Sequence, residues 1–222
     1  MSPMCQYSAV GGYVNEWHLV HQGTRAAGGT GLIMTEATAV SPEGRITPGD
    51  LGLWSVAHMD GYKKLVETVH KLGAVAGIQL AHAGRKASCA APWEGGHQLK
   101  IDAGGWETLA TGDLPFRKED RKHRPLHTDD IKRIIGDFAH AAVRAVECGY
   151  DIIEIHAAHG YLLHEFLSPI SNNRTDDYGG SFENRIRMLL EVVRAVRKVI
   201  PHEMPLLTRI SAHEWVDGPQ FS

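Results

Sequence analysis

The chain has 222 residues, 43% of them hydrophobic and 22% charged, with a formal net charge of −3. This balance is ordinary for a globular protein and excludes both the basic field that neutralises nucleic-acid phosphates and a polybasic membrane anchor. No apolar run approaches the roughly 20 residues of a bilayer span, and Met1 to Tyr7 lacks the charged-then-apolar order of a signal sequence. Nucleic acid and membrane are therefore not expected partners.

The elements alternate along the chain. A strand stump is expected at Ser2 to Cys5 and a helix at Glu16 to Ala27. Gly31 to Ala39 reads as a buried strand. Ala57 to Leu72 reads as a helix with Tyr62, Leu65, Val66, Val69 and Leu72 on one face and Gly73 at its end. Ala74 to Ala81 is the next strand. Thr128 is expected to cap a helix whose first turn carries Asp129 and Asp130, where carboxylates suit the helix dipole. Ile131, Ile134, Ile135, Phe138, Ala142 and Ala145 form its apolar stripe, and Gly149 ends it. Asp151 to His156 is a strand, Phe182 to Ile200 a helix stopped by Pro201, and Met204 to Ser211 a strand.

Alternating βα units suit a barrel or an open doubly wound sheet. Glu36, His82, Arg85, His156, His159 and Arg209 all fall at or just past strand ends, which favours the (β/α)8 TIM barrel. No GxGxxG follows the first strand, so a dinucleotide-binding unit is not expected. The connections 82–126 and 157–181 are long enough to be lids or binding loops. With a stump and four strands, the chain is expected to hold roughly the first five βα units. Residues 1–222 would form one barrel domain, incomplete at both ends and lacking strands six to eight. Cys5, Cys89 and Cys148 show no paired spacing, which fits a reducing, cytoplasmic setting.

The segment from Glu154 to Tyr161 concentrates the chemistry. Glu154 and His156 share a strand face, and the strand then delivers His159 and Tyr161 into a loop. Three readings stand side by side. Two histidines could ligate a metal, as in a metal-dependent hydrolase, but no third ligand has matching spacing. They could be satisfied core groups. Or two imidazoles could hold an oxygen while a phenol, of pKa ~10, protonates a developing enolate.

Ser2 to Tyr7, Gly77 to Lys86, Glu154 to Tyr161 and the run from His164 through Arg185 resemble the old yellow enzyme family, in the right order. That run includes His164-Glu165-Phe166-Leu167-Ser168-Pro169 and Tyr178-Gly179-Gly180-Ser181. Cys5 with Tyr7 is more similar to its bacterial, thermophilic-like branch. The resemblance implies an ene-reductase with FMN, reduced by NADPH or NADH, acting on a small-molecule enone or nitroalkene. It implies that His156 and His159 hold the substrate oxygen and that Tyr161 donates the proton. Pro3, Met4, Cys5, Ala37, Gln79 and Arg209 would contact the flavin. Tyr7, and Trp93 from its loop, would line the substrate pocket. The charged segment Arg174 to Arg185 is read as ion pairs and turns that order a loop. The family's phosphate site lies near the last two strands, so this chain alone is expected to bind FMN poorly. A non-catalytic remnant, and a homo-oligomer of the full-length enzyme, both stay open.

Overall fold

The computed structural model describes residues 1–216. Four parallel strands carry the fold: β1 (Leu32–Ala39), β2 (Val75–Ala81), β5 (Ile152–Ala157) and β6 (Leu206–Ile210). They pair in the order β1-β2-β5-β6, so sheet neighbours follow chain order. Between β2 and β5 lie two short strands, β3 (Leu109–Ala110) and β4 (Arg124–Pro125), which pair only with each other. Helices α2 (Met59–Lys71), α3 (Thr128–Glu147) and α6 (Arg187–Val199) make the crossovers that parallel pairing requires, and α1 (Glu16–Ala27) precedes β1. Two short helices, α4 (Leu162–Leu167) and α5 (Phe182–Arg185), sit in the β5–α6 connection.

The strands are near-continuous in burial, as a parallel sheet covered on both faces demands. β6 differs, because most of its residues are exposed and no strand pairs with its outer edge among the described residues. Ile78 and Leu80 of β2 and Ile153 and Ile155 of β5 are fully buried. Tyr62, Leu65 and Val69 of α2, Ile131, Ile134 and Phe138 of α3, and Val192 and Val196 of α6 close over the core. Removing a ring such as that of Phe138 would cost about 3–5 kcal/mol.

Four expectations change. The stump at Ser2 to Cys5 is not a strand. Met1 alone reaches the edge of β1, its nitrogen donating to Leu32 O at 2.6 Å and its carbonyl accepting from Met34 N–H at 3.2 Å. Leu72 lies past the end of α2 and is 42% exposed, because the chain turns out at Gly73 with φ +86°. The cap of α3 is His127, one residue early, and its N–H is accepted by the Asp130 carboxylate at 3.0 Å. The helix foreseen over Phe182 to Ile200 is interrupted at Ile186, where ψ opens to −11°, so α5 and α6 are separate turns of one path.

The connection from 82 to 126 is held by three polar anchors. Arg121 donates to Leu99 O, Trp106 O and Ser88 Oγ. Arg174 donates to Thr111 O and Leu126 O at 2.8 and 2.7 Å and pairs with Asp176. Glu165, 1% exposed, accepts from Arg85 N–H at 2.7 Å and Thr111 N–H at 3.1 Å. Gly84, at φ +60°, is required beside it, since a Cβ there would overlap Glu165 Oε1. Arg174 and its neighbours thus order a loop, the role its charge pattern suggested.

Candidate active site

A cavity of about 320 Å³ lies where the carboxyl ends of the strands meet the N-terminal segment. β1 contributes Ala37, β2 Gln79, β5 His156 and β6 Arg209. The loop after β5 contributes His159 and Tyr161, and the N-terminal segment contributes Pro3, Met4, Cys5 and Tyr7. All ten residues singled out from the sequence therefore face one space. They come from five separate stretches of chain, which only the parallel register brings together. Trp93 stands at the rim instead: 70% exposed, it packs its ring edge-on to Tyr7 with centroids 5.8 Å apart.

The floor is organised by a residue not singled out in advance. Glu154 accepts from Gln79 Nε2 at 2.6 Å and from Arg209 Nε at 2.9 Å. Gln79 and Glu154 are register partners across β2 and β5, and His156 and Arg209 across β5 and β6. The signal was present: Glu154 lies two residues before His156, hence on the same face. An acid on the cavity side of a buried strand needs partners, and Gln79 and Arg209 are those partners.

The turn from Ala157 to Tyr161 sets the angles. His159 and Gly160 both adopt left-handed φ, +59° and +74°. For histidine that conformation costs on the order of 1–3 kcal/mol. It is held by His159 N–H donating to Ser211 Oγ at 3.0 Å and by Lys86 Nζ donating to His159 O at 2.7 Å. His156 meets His159 edge to face at 5.1 Å, and Tyr161 at 5.0 Å.

Electrostatics fix the protonation states. Burial, then competition with the neighbouring His159 for a proton and the Arg209 cation, pushes His156 down to about 3. Burial, with Arg209 and Lys86 nearby, also lowers His159. Both rings are neutral at neutral pH. His156 Nδ1 accepts from Ala158 N–H at 3.2 Å, so its proton sits on Nε2 as a donor. Burial raises the Tyr161, Tyr7 and Cys5 hydroxyl and thiol groups well above their ordinary range, so all three stay protonated. Such a site offers neutral donors aimed at an oxygen and a phenol that yields its proton only to a strong carbon base.

Glu36 anchors the N-terminal wall. It sits where the β1–β2 register shifts, between Thr35 and Ala37, which turns its carboxylate toward the preceding segment. Glu36 Oε2 accepts from Gln6 N–H at 2.7 Å, between Cys5 and Tyr7. His18 Nε2 lies 3.6 Å from Glu36 Oε1, but burial pushes His18 down to about 4 and Glu36 up to about 8, so the pair is held neutral. A carboxyl raised above its ordinary 4.5 stabilises the fold most below that pH, and the benefit disappears as pH rises through about 8. Asp50 and Glu165, raised to about 6 and about 7, act in the same direction. Above about pH 7, where the buried histidines no longer titrate, the melting temperature is expected to fall as pH rises toward about 9, and a Glu36→Gln variant to show a smaller fall. A variant with the full wild-type fall would place the dependence elsewhere.

Among the described residues, no group of three His, Cys, Asp or Glu side chains could hold a metal ion. Among the same residues, no helix is long and apolar enough to cross a membrane.

Parallel strands that deliver imidazoles, a phenol and a guanidinium to their carboxyl ends have the arrangement of an α/β-barrel enzyme site. The chain belongs to the NADH:flavin oxidoreductase / NADH oxidase family, whose model matches residues 1–220. It is 47% identical over 226 residues to an NADH:flavin oxidoreductase of Gibberella zeae, covering 98% of this chain and 54% of that protein. It is 46% identical to an NADPH dehydrogenase of Bacillus subtilis, covering 98% and 60%. Among solved structures, it superposes on morphinone reductase with a TM-score of 0.82 at 34% identity, covering 95% of this chain and 57% of that one. An Old Yellow Enzyme from Pichia sp. gives a TM-score of 0.85 at 30% identity, covering 96% and 55%. The chain thus spans a little over half the length of these relatives, and its parallel sheet corresponds to part of their TIM barrel.

Proposed function

We propose that the cavity is the reducing site of an FMN-dependent ene-reductase, which takes electrons from NADPH or NADH and saturates activated C=C bonds of α,β-unsaturated carbonyl or nitro compounds. The convergence of the ten residues on one cavity carries this reading. The donor set fits a flavin ring. Ala37 leaves space at a strand end, the Gln79 amide offers both donor and acceptor, and the Arg209 cation suits the edge where negative charge gathers on reduction. When bound, FMN would supply hydride to the alkene's β-carbon.

The chain's own side chains would do the rest. His156 Nε2–H and His159 would hold the substrate oxygen and stabilise the enolate as it forms. Tyr161 would deliver its proton to the α-carbon. Pro3, Met4 and Cys5 would pack against the ring, and Tyr7 would wall the substrate side. Glu154 would keep Gln79 and Arg209 in place. We read residues 1–222 as one flavin-binding unit, and the three free cysteines support a cytoplasmic setting.

The test is a visible spectrum of the purified chain with FMN added, taken before and after anaerobic NADPH and again after cyclohexenone. Flavin bands should bleach with NADPH and return with the enone. Chain-bound flavin whose bands fail to bleach with NADPH, or stay bleached when the enone is added, would overturn the reading.

A further inference from the structure

A second cavity, of about 350 Å³, opens beside the first and shares Tyr7 and Tyr161 with it. Its far side is built by the long connection after β2 and carries three cations: Arg85, Lys86 and Arg117. They gather round one aromatic ring. Lys86 Nζ lies 4.2 Å from the Phe116 centroid, and the guanidinium carbons of Arg85 and Arg117 lie 5.9 and 5.7 Å from it.

No side-chain nitrogen of the three lies within 4.0 Å of a carboxylate oxygen among the described residues. Arg124, Arg133, Arg174 and Arg209 each do. The cavity cations instead donate to carbonyls: Arg85 to Leu114 O, Arg117 to Gly96 O and Lys86 to His159 O. Carbonyls satisfy N–H groups but leave the charge uncompensated. Two carboxylates lie near. Asp120 lines the cavity, with one oxygen accepting from Arg117 N–H at 3.0 Å. Glu165 lies beneath, its oxygens taken by Arg85 and Thr111 N–H groups. Like charges packed against an apolar ring repel one another, and Lys86 is lowered by burial and then by Arg85. An anion placed among them would relieve that repulsion and be attracted strongly in a concave, partly desolvated site.

We propose that this cavity binds an anion, the carboxylate that a substrate carries away from its reacting double bond. The choice of substrate rests on the ene-reductase reading, because Tyr161 is the wall common to both cavities; the anion site does not. The same chemistry would serve the phosphate end of NADPH, and the experiment separates the two sources.

Calorimetry on the full chain would compare benzoate with benzamide, which have nearly the same shape and differ in charge. Benzoate should bind about tenfold tighter and lose that advantage as salt rises. Arg117→Gln, in an exposed loop, should weaken benzoate about tenfold and leave benzamide unmoved. Asp120→Asn, which keeps an oxygen for the Arg117 N–H, should tighten benzoate. Equal binding of the two ligands, or benzoate binding indifferent to both substitutions, would overturn the proposal. An adenosine bisphosphate binding more tightly than benzoate, and dependent on Arg117, would support the anion site and overturn its assignment to the substrate. With FMN added, a carboxylate-bearing cyclohexenone should have a higher kcat/KM than cyclohexenone, and Arg117→Gln should erase the difference. Benzoate binding without any enone turnover would keep the anion site and sink the ene-reductase reading, so the two failures are distinct.

Discussion

A Tyr161→Phe variant is expected to lose about 10²- to 10³-fold in alkene reduction while NADPH consumption with no alkene present continues. The phenol is half-buried and held protonated, so it has a proton to give. Removing one oxygen leaves the ring in its edge-to-face contact with His156 at 5.0 Å, so the cavity should keep its shape. What disappears is the proton for the α-carbon. Stopped-flow measurement of the two half-reactions separately would read this directly. An unchanged rate of alkene reduction would mean that the proton comes from solvent or another group.

His156→Ala is expected to lower kcat/KM for an enone about 10²- to 10³-fold, the scale of losing one donor to a developing oxyanion. The pH profile sharpens the expectation. With His156 pushed down to about 3, its donor is the Nε2–H of a neutral ring, not an imidazolium. The wild-type profile should therefore show no ionisation of His156 between about pH 5 and about pH 8. An acid limb near the ordinary value of 6.5 would contradict the neutral-donor assignment. Stability gives an independent check. The folded ring refuses a proton that the unfolded chain accepts below pH 6.5, so stability falls as pH drops from there toward 3. The alanine variant removes that contribution and should lose less of its melting temperature on acidification.

Glu36 and Lys86 support these roles from outside the reacting groups. Glu36 ties the Cys5–Tyr7 wall to the irregular point of β1. Lys86 ties the connection after β2 to the turn that presents His159. Neither stands out in the sequence. A bulge has no local signature in an alternating run, and a lysine in a loop reads as a solvated charge. Their partners are 30 and 73 residues away.

Local physics did make much of the protein legible. Apolar runs such as Leu32 to Met34 mark parallel strands because both faces of such a strand are covered. The stripe on α3 follows from a period of 3.6 residues, and Gly73 and Gly149 end helices because only glycine enters left-handed φ cheaply, as both do here. Sequence order alone placed Glu154, His156, His159 and Tyr161 at a strand mouth, and the ten site residues were chosen before any geometry was known. Tertiary structure decided what no local rule contains: the register that sets Gln79 against Glu154 and His156 against Arg209, the lowered pKa of the His156 and His159 imidazoles, and the meeting of three cations without side-chain ion pairs round Phe116. The reason is range. Turns and periodicity are set within a few residues, whereas pairing, burial and charge balance depend on groups that only the completed sheet brings together.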